Sequence, residues 1–187
     1  MARFHVIGTA HVEHPGLFRA LEAALDQIAP AQLILEMPDE AVATGEVTGQ
    51  KPEMVLAYHW ARRRGVPVRG HEPPGFSALR DGLTPEALGS LAQEMDALIS
   101  KLTVRRTIDV FCKRGAPRTV AERRLSTIID TLVDPDKALA RTRGILAAIK
   151  RIPAPEGDVL ILCGGAHVPH IAEALTDCRV VSGEHFY

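Results

Sequence analysis

Two kinds of hydrophobic pattern alternate through the first and last parts of the chain. Short uninterrupted apolar runs are typical of strands that are buried on both faces of a parallel sheet. Between them, apolar residues recur every three or four positions, which is typical of amphipathic helices. The apolar runs lie at residues 3–7, 32–37, 66–69, 158–163 and 179–182. This order predicts an α/β fold with a mostly parallel central sheet of about five strands and helices on both faces.

Proline and glycine mark the ends of the predicted helices. The first predicted helix opens at Pro15, and a second covers residues 52–64 and stops at Gly65, because proline suits the start of a helix and glycine its end. A short helix is predicted at residues 171–175. Residues 39–51 show no periodicity, and we predict a mobile loop there.

Helical periodicity alone fills the middle of the chain. Three helices are predicted, at residues 84–114, 119–133 and 134–152. The first is long for a globular protein and is expected to bend or break near Thr103, whereas the second opens with a capping box from Thr119 to Glu122. We therefore predict one domain over residues 1–187, with an all-helical insertion at about 84–152.

One motif occurs twice, and each copy follows a predicted strand. The first copy runs from Gly8 to His14 and the second from Gly164 to His170, and both fit the pattern G-x-A-H-V-x-H. Glycine after a strand lets the backbone turn sharply and approach a ligand closely. Because open α/β folds place their sites beyond the carboxyl ends of the strands, the two copies are predicted to meet at one site.

The residue types at this site predict a divalent metal ion. Neutral imidazole is the commonest metal ligand in proteins, and a carboxylate completes the ligand set of an open catalytic site. His11, His167 and Glu36, which closes the second strand, are the predicted ligands, with His71 as a further one. Glu72 follows His71 in the same metal-capable cluster after the third strand, although a turn that contains Pro73 and Pro74 can carry polar residues for no chemical reason. Manganese, cobalt or zinc would lower the pKa of a bound water. The structural alternative is that the histidines cap helices and that Glu36 pairs with a buried arginine.

Other polar residues near the two motifs are candidates for catalytic roles. Glu13, His14 and His170 are placed to shuttle protons, although each of the two histidines could equally be a ligand, a substrate contact or a helix cap. Arg141 and Arg143, in the third predicted insertion helix, could reach the site and bind an anionic group.

Composition narrows the class of protein. Apolar residues make up 46% of the 187 positions and charged residues 24%, and the formal net charge is −1, which does not indicate a nucleic-acid coat or a membrane-surface protein. The first strand starts too early to leave room for a secretory signal, and no apolar stretch approaches membrane-spanning length. The three cysteines form no CxxC pair. We therefore predict a cytoplasmic protein with reduced thiols, without a membrane partner.

Basic residues are concentrated between Lys101 and Arg124, where only Asp109 and Glu122 oppose them. The segment is either a solvated helical face or a surface for an anionic partner. No aromatic residues are interleaved with it to stack on bases, so a nucleic-acid partner is disfavoured. The chain also has no P-loop, G-x-G-x-x-G, G-x-S-x-G or HExxH motif, so nucleotide binding and serine-hydrolase chemistry lose their usual sequence support.

The strand ending in Gly-Thr-Ala-His11, the acidic Glu36 and the late strand ending in Gly-Gly-Ala-His167 resemble the TraB/PrgY–GumN and Tiki family. This family belongs to the superfamily that includes erythromycin esterase and the ChaN haem-binding lipoprotein, and it has paired GxxH motifs flanking a helical middle. The resemblance implies that His11 and His167 are metal or catalytic histidines with Glu36 as their carboxylate partner. It also implies metal-dependent proteolysis, as described for Tiki, or peptide-pheromone regulation, as in other members. We expect the chain to depart from the family in having neither the signal peptide of its secreted members nor the membrane segments of TraB proteins.

Three functional hypotheses follow. The first is a metal-dependent hydrolase of a peptide, amide or ester bond, acting on a small-molecule or peptide substrate. The alternative is a non-catalytic binding or regulatory protein that holds a peptide, a small anion or haem in the same cleft. The third is a partner-binding protein that acts through the basic segment. Oligomerisation is compatible with all three.

Overall fold

A computed structural model describes residues 2–73 and 77–187 of the chain. Five strands form one sheet in which every pairing is parallel. The strands are β1 (Ala2–Thr9), β2 (Gln32–Leu35), β3 (Val68–Gly70), β4 (Gly157–Gly164) and β5 (Cys178–Val181). Their spatial order is β3-β2-β4-β1-β5. The predicted α/β class with a parallel sheet of about five strands is confirmed.

The described residues also form eight α-helices and one short 3-10 turn. The helices are α1 (Pro15–Ile28), α2 (Asp39–Thr44), α3 (Pro52–Arg64), α4 (Pro85–Ile99), α5 (Val104–Phe111), α6 (Val120–Leu132), α7 (Pro135–Arg151) and α8 (Val168–Ala174), and the 3-10 turn covers Gly165–His167. No helix in the described part combines the length and the apolar character that crossing a membrane requires.

Two stretches differ from the sequence-based prediction. Residues 39–44, predicted as part of a mobile loop, form α2, which ends at Gly45 with a φ of 81°. Its six residues are too few to show a helical period, but Asp39 and Glu40 suit the positive end of its dipole. The long helix predicted at 84–114 is two helices, because Thr103 caps α5 by accepting a hydrogen bond from the backbone of Arg106.

Helices cover both faces of the sheet, as predicted. Alternate strand residues such as Ile7, Leu33 and Leu162 pack with the apolar faces of α1 and α3. Their neighbours, such as Val6 and Ile161, pack with α7 and α8 on the opposite face. The central strands β1, β2 and β4 are therefore buried on both sides over most of their length, which explains their uninterrupted apolar sequences.

The helices α4–α7 lie between β3 and β4 in the chain, where the helical insertion was predicted. A separate apolar cluster centred on Val110, Leu125 and Ile129 holds α4, α5 and α6 together. Arg106 of α5 donates two hydrogen bonds to Glu122 of α6, and this guanidinium is the main reason that the pKa of Glu122 falls to about 2. Within the insertion, α4, α5 and α6 therefore pack around an apolar cluster of their own, whereas α7 packs against the sheet.

The register of the two central strands brings the two motifs together. In the parallel pair of β1 and β4, Gly8 lies beside Cys163 and Thr9 beside Gly164. The adjacent strand β2 extends to the same edge, since the backbone N–H of Glu36 donates to the carbonyl of Leu162. Both copies of the motif and the predicted carboxylate thus start from the same edge of the sheet.

Candidate active site

The first motif holds His11 in an unusual backbone conformation. β1 ends at Thr9, and His11 adopts a φ of 55°, in the left-handed region that non-glycine residues seldom enter. Its ring Nδ1 lies 2.5 Å from Oε1 of Glu53, a carboxylate with no exposed surface. The hydroxyl of Thr9 donates to the same oxygen over 2.7 Å. Glu53, in the first turn of α3, thus fixes the orientation of the ring and leaves Nε2 available.

The second motif holds His167 in a different way. His167 ends the 3-10 turn that follows β4, and its Nδ1 lies 2.9 Å from the hydroxyl of Thr142 in α7. That hydroxyl donates its one proton to the carbonyl of Ala138 over 2.9 Å. The hydrogen between Thr142 and His167 must therefore belong to Nδ1 of the imidazole, which leaves Nε2 as an acceptor.

Glu36 lies between the two histidines and is fully buried. Its Oε1 lies 3.7 Å from Nε2 of His11 and 4.0 Å from Nε2 of His167. The same oxygen accepts hydrogen bonds from Lys51 Nζ and from Arg141 Nη2, each over 2.7 Å, and Oε2 accepts from the backbone N–H of Gly164. Glu36 is therefore paired with an arginine, as the structural alternative expected, and it also faces both histidines.

A second carboxylate completes this charged cluster. Glu72, after β3, accepts hydrogen bonds from Lys51 Nζ over 3.0 Å and from Arg141 Nε over 2.9 Å. Each of the two cations therefore bridges Glu36 and Glu72. Nη1 of Arg141 has no hydrogen-bond partner among the described residues, so it is available to a ligand.

The two motif histidines are pushed toward opposite protonation states. Burial opposes a charge on His11, but the carboxylates of Glu36 and Glu53 outweigh it and raise its pKa above the ordinary value. Burial, with the positive charges of Arg141 and Lys51, lowers the pKa of His167 to about 4 although Glu36 opposes the shift. Near neutrality His11 holds its proton more readily than an ordinary histidine, and His167 is neutral.

A cavity of about 440 Å³ opens beside these histidines. His11, Arg141 and His167 line it, together with Gly164 and Gly165 at the end of β4. Residues of the insertion helices α5, α6 and α7, such as Phe111, Ile129 and Ala138, also line it. The volume lies within the range of small-molecule sites. The cluster therefore faces a space that a substrate can enter.

The structure does not bring all predicted site residues to this cavity. It gathers His11, Glu36, Arg141 and His167, and it places His71 nearby in a buried position where burial lowers its pKa. Neither ring nitrogen of His71 has a hydrogen-bond partner among residues 2–73 and 77–187. The remaining predicted residues, Glu13, His14, His170 and Arg143, have exposed side chains and take no part in the cluster.

Three residues of the site were not predicted. Glu53, Lys51 and Thr142 hold the two histidines and Glu36 in place. An acidic residue in the first turn of a helix is common for electrostatic reasons alone, so Glu53 carried no functional signal. Thr142 adjoins Arg141 in the sequence, but its role is to hold the ring of His167. Only the tertiary structure shows that these two residues meet.

The predicted metal ligands are not grouped as a divalent-ion site in this arrangement. No group of three or more His, Cys, Asp or Glu side chains within the described part of the chain is placed to hold one. The Glu36 oxygen that faces both histidines already binds Lys51 and Arg141. These two cations lie where they would repel a metal ion.

The basic segment from Lys101 to Arg124 is largely paired within the protein. Arg106 pairs with Glu122, Lys113 with Asp130, and Arg124 with Glu94. This pairing favours the interpretation of a solvated helical face over a surface for an anionic partner.

Comparison of the chain with protein-family models, with curated proteins and with solved structures gives no significant match. The resemblance to the TraB/PrgY–GumN and Tiki family therefore stays a prediction, and the function is argued from the geometry of the cluster.

Proposed function

We propose that this protein is a hydrolase that adds water to the carbonyl carbon of a peptide, amide or ester bond, with His167 as general base and His11 as general acid. One observation carries the proposal. Two imidazoles whose Nε2 atoms lie 3.7 and 4.0 Å from the same Glu36 oxygen have pKa values displaced in opposite directions, beside a cavity. Such a divergence is how enzymes assign acid and base roles to like groups.

The reaction needs only groups that the cluster contains. The unprotonated Nε2 of His167 removes a proton from water as the water oxygen bonds to the carbonyl carbon. His11 then donates its Nε2 proton to the leaving oxygen or nitrogen while the bond from that atom to the carbonyl carbon breaks. The products are a carboxylic acid and an alcohol or amine, and solvent returns the proton from His167 to His11.

Arg141 supports the developing negative charge on the carbonyl oxygen. Its Nη2 and Nε are fixed by Glu36 and Glu72, whereas Nη1 has no hydrogen-bond partner among the described residues and Arg141 lines the cavity. A donor that is held before the reaction stabilises an oxyanion without reorganisation. No hydroxyl or thiol among the described residues hydrogen-bonds to either Nε2 atom, so water rather than a side chain is the proposed nucleophile.

A metal-dependent form of the hydrolysis is the second candidate, and one observation favours it. Each motif histidine has its Nδ1 held by a neighbouring side chain while Nε2 points toward Glu36, which is the way proteins orient metal-binding imidazoles. The non-catalytic alternative, binding of a peptide, a small anion or haem, uses the same cavity without turnover.

One experiment separates these functions. Wild type, His11→Ala and His167→Ala are purified without chelator, analysed for metal and assayed on a panel of ester and amide substrates. Hydrolysis that needs both histidines and survives chelation supports the acid–base proposal. About one metal per chain, with activity lost on chelation, would instead support the metal-dependent form. A panel on which wild type is as inactive as both variants would overturn both in favour of binding.

A further inference from the structure

We infer that the cavity under the insertion helices is an acyl-binding site, and that the substrate carries an apolar acyl group next to the carbonyl that is attacked. The inference rests on the proposed hydrolysis and names its substrate class. It starts from the lining of the cavity, which combines His11, Arg141 and His167 with apolar residues of the insertion helices.

Most of the residues that line the cavity outside the cluster are apolar. They include Phe111 of α5, Ile129 of α6, Val133 just after α6 and Ala138 of α7, which together we call the apolar wall. Ile129 keeps only 7% of its surface exposed. Burial of a hydrocarbon group against such side chains is favourable in proportion to the area removed from water.

The remaining charged residues that line the cavity are exposed at the protein surface. Lys113 and Asp130 form an ion pair of 2.8 Å, and both side chains are more than half exposed. Arg80 donates to the backbone carbonyl of Asp130. These groups are therefore paired at the surface, whereas Arg141 and the two motif histidines belong to the cluster around Glu36.

This distribution of polarity suits a ligand with an apolar body and one polar end. The polar end meets Arg141 and the two histidines, where a carbonyl is attacked, and the apolar body packs against the apolar wall. A volume of about 440 Å³ is at the lower end for small-molecule sites, which favours a compact acyl group over a length of peptide chain.

The first test varies only the acyl group. p-Nitrophenyl esters from acetyl to octanoyl share one leaving group, so differences in kcat/KM report on the acyl site. We expect kcat/KM to rise by about fourfold for each added methylene until the cavity is filled. Equal values for the acetyl and octanoyl esters would overturn the inference while leaving the hydrolase proposal in place.

The second test needs no turnover. Titration calorimetry with octanoate, the acid product, measures binding to wild type, to Ala138→Leu, which fills the apolar wall, and to Ala147→Leu. Ala147 lies on the exposed side of the same helix, so it is the matched control. We expect Ala138→Leu to weaken octanoate binding at least tenfold and Ala147→Leu to leave it unchanged.

The outcomes of the two tests are distinguishable. Octanoate binding that depends on position 138, without hydrolysis of any ester, supports the acyl site and contradicts the hydrolase proposal. Absence of octanoate binding, or equal binding by both leucine variants, overturns the acyl site. If Ala138→Leu does not fold, Phe111→Ala decides, because an enlarged cavity should shift the preference toward octanoate or longer chains.

Discussion

The two copies of the G-x-A-H-V-x-H motif end adjacent parallel strands, yet their first histidines occupy opposite electrostatic surroundings. His11 faces two buried carboxylates, Glu36 and Glu53, which raise its pKa against the effect of burial. His167 contacts the neutral hydroxyl of Thr142 and lies near Arg141, and its pKa falls to about 4. A repeated motif therefore does not imply a repeated role, because the protonation state is set by what each copy touches.

The backbone of the two copies differs as well, and proline accounts for part of the difference. In the second copy Pro169 lies inside the motif, and the 3-10 turn leads directly into α8. In the first copy the residue at the same place is Glu13, and the helix begins only at Pro15. Since proline suits the first turn of a helix, its position decides where each helix starts and where each second histidine lies.

Removal of either motif histidine is expected to have the largest effect on activity. His11→Ala and His167→Ala should each lower kcat/KM by about 10²–10⁴-fold, the usual contribution of a general acid or base. In wild type, kcat/KM should fall below about pH 4, where His167 becomes protonated, and again at a pH above the ordinary histidine value, where His11 loses its proton. Steady-state kinetics over a pH series measure both limbs. A variant that keeps a tenth or more of the wild-type value would remove that histidine from the mechanism.

The neutral state of His167 should also make the free energy of unfolding depend on pH. The unfolded state binds a proton near pH 6.5 and the folded state only near 4, so the free energy of unfolding should fall by about 3 kcal/mol as pH drops through this window and then level off. Urea unfolding of wild type and His167→Asn at successive pH values measures this contribution as the difference between their free energies of unfolding.

His11, in the first motif copy, should have the opposite effect on how stability depends on pH. The raised pKa of His11 adds stability that is complete below pH 6.5 and is lost as pH rises through the folded value. His11→Asn should therefore remove only the decrease in the free energy of unfolding above pH 6.5.

For His167, the contradicting result is a difference in the free energy of unfolding between wild type and His167→Asn that stays constant between pH 4 and 6.5. Such a result would contradict the assignment of His167 as a buried neutral base.

The supporting side chains distinguish the two copies more finely. Glu53→Gln removes the charge beside Nδ1 of His11, so the pKa of His11 should fall and the alkaline limb of kcat/KM should move to lower pH, with a loss of about 10–100-fold above neutrality. Thr142→Val, at the corresponding contact of His167, removes no charge and should leave the alkaline limb in place. The same pH series on both variants makes the comparison, and equal displacement of the limb would show that Glu53 acts only through packing.

Local patterns predicted the strands, the edge at which the motifs meet and three central residues of the cluster. His11, His167 and Glu36 could be predicted because each closely follows or closes an apolar run. Helical geometry also separates Arg141 from Arg143, since residues two apart on a helix point in widely different directions. Thr142, Ile145 and Ile149 mark the buried side of α7. Helical periodicity therefore excludes Arg143 as a candidate site residue from the sequence alone.

The remaining features depend on contacts between distant segments. Glu53 meets His11 across 42 positions of the chain, and Arg141 meets Glu36 across 105. Neither pairing leaves a trace in local periodicity, and the displaced pKa values follow only from these pairings and from burial. The predicted ligand role of Glu36 was inferred without Lys51, whose Nζ occupies the same oxygen.

The second histidines of the two motifs should give the smallest effects, and they separate capping from catalysis. Nδ1 of His14 accepts a hydrogen bond from the backbone N–H of Gly16 over 3.1 Å, so it caps α1. His14→Ala should lower the free energy of unfolding by about 1 kcal/mol, the usual value of an N-cap, and leave kcat/KM unchanged. His170 is exposed on α8, and His170→Ala should change neither quantity by a measurable amount. Urea unfolding and steady-state kinetics on the two variants test both statements. A loss of activity without a loss of stability in either variant would return that histidine to the proton-shuttle role that the motif predicted.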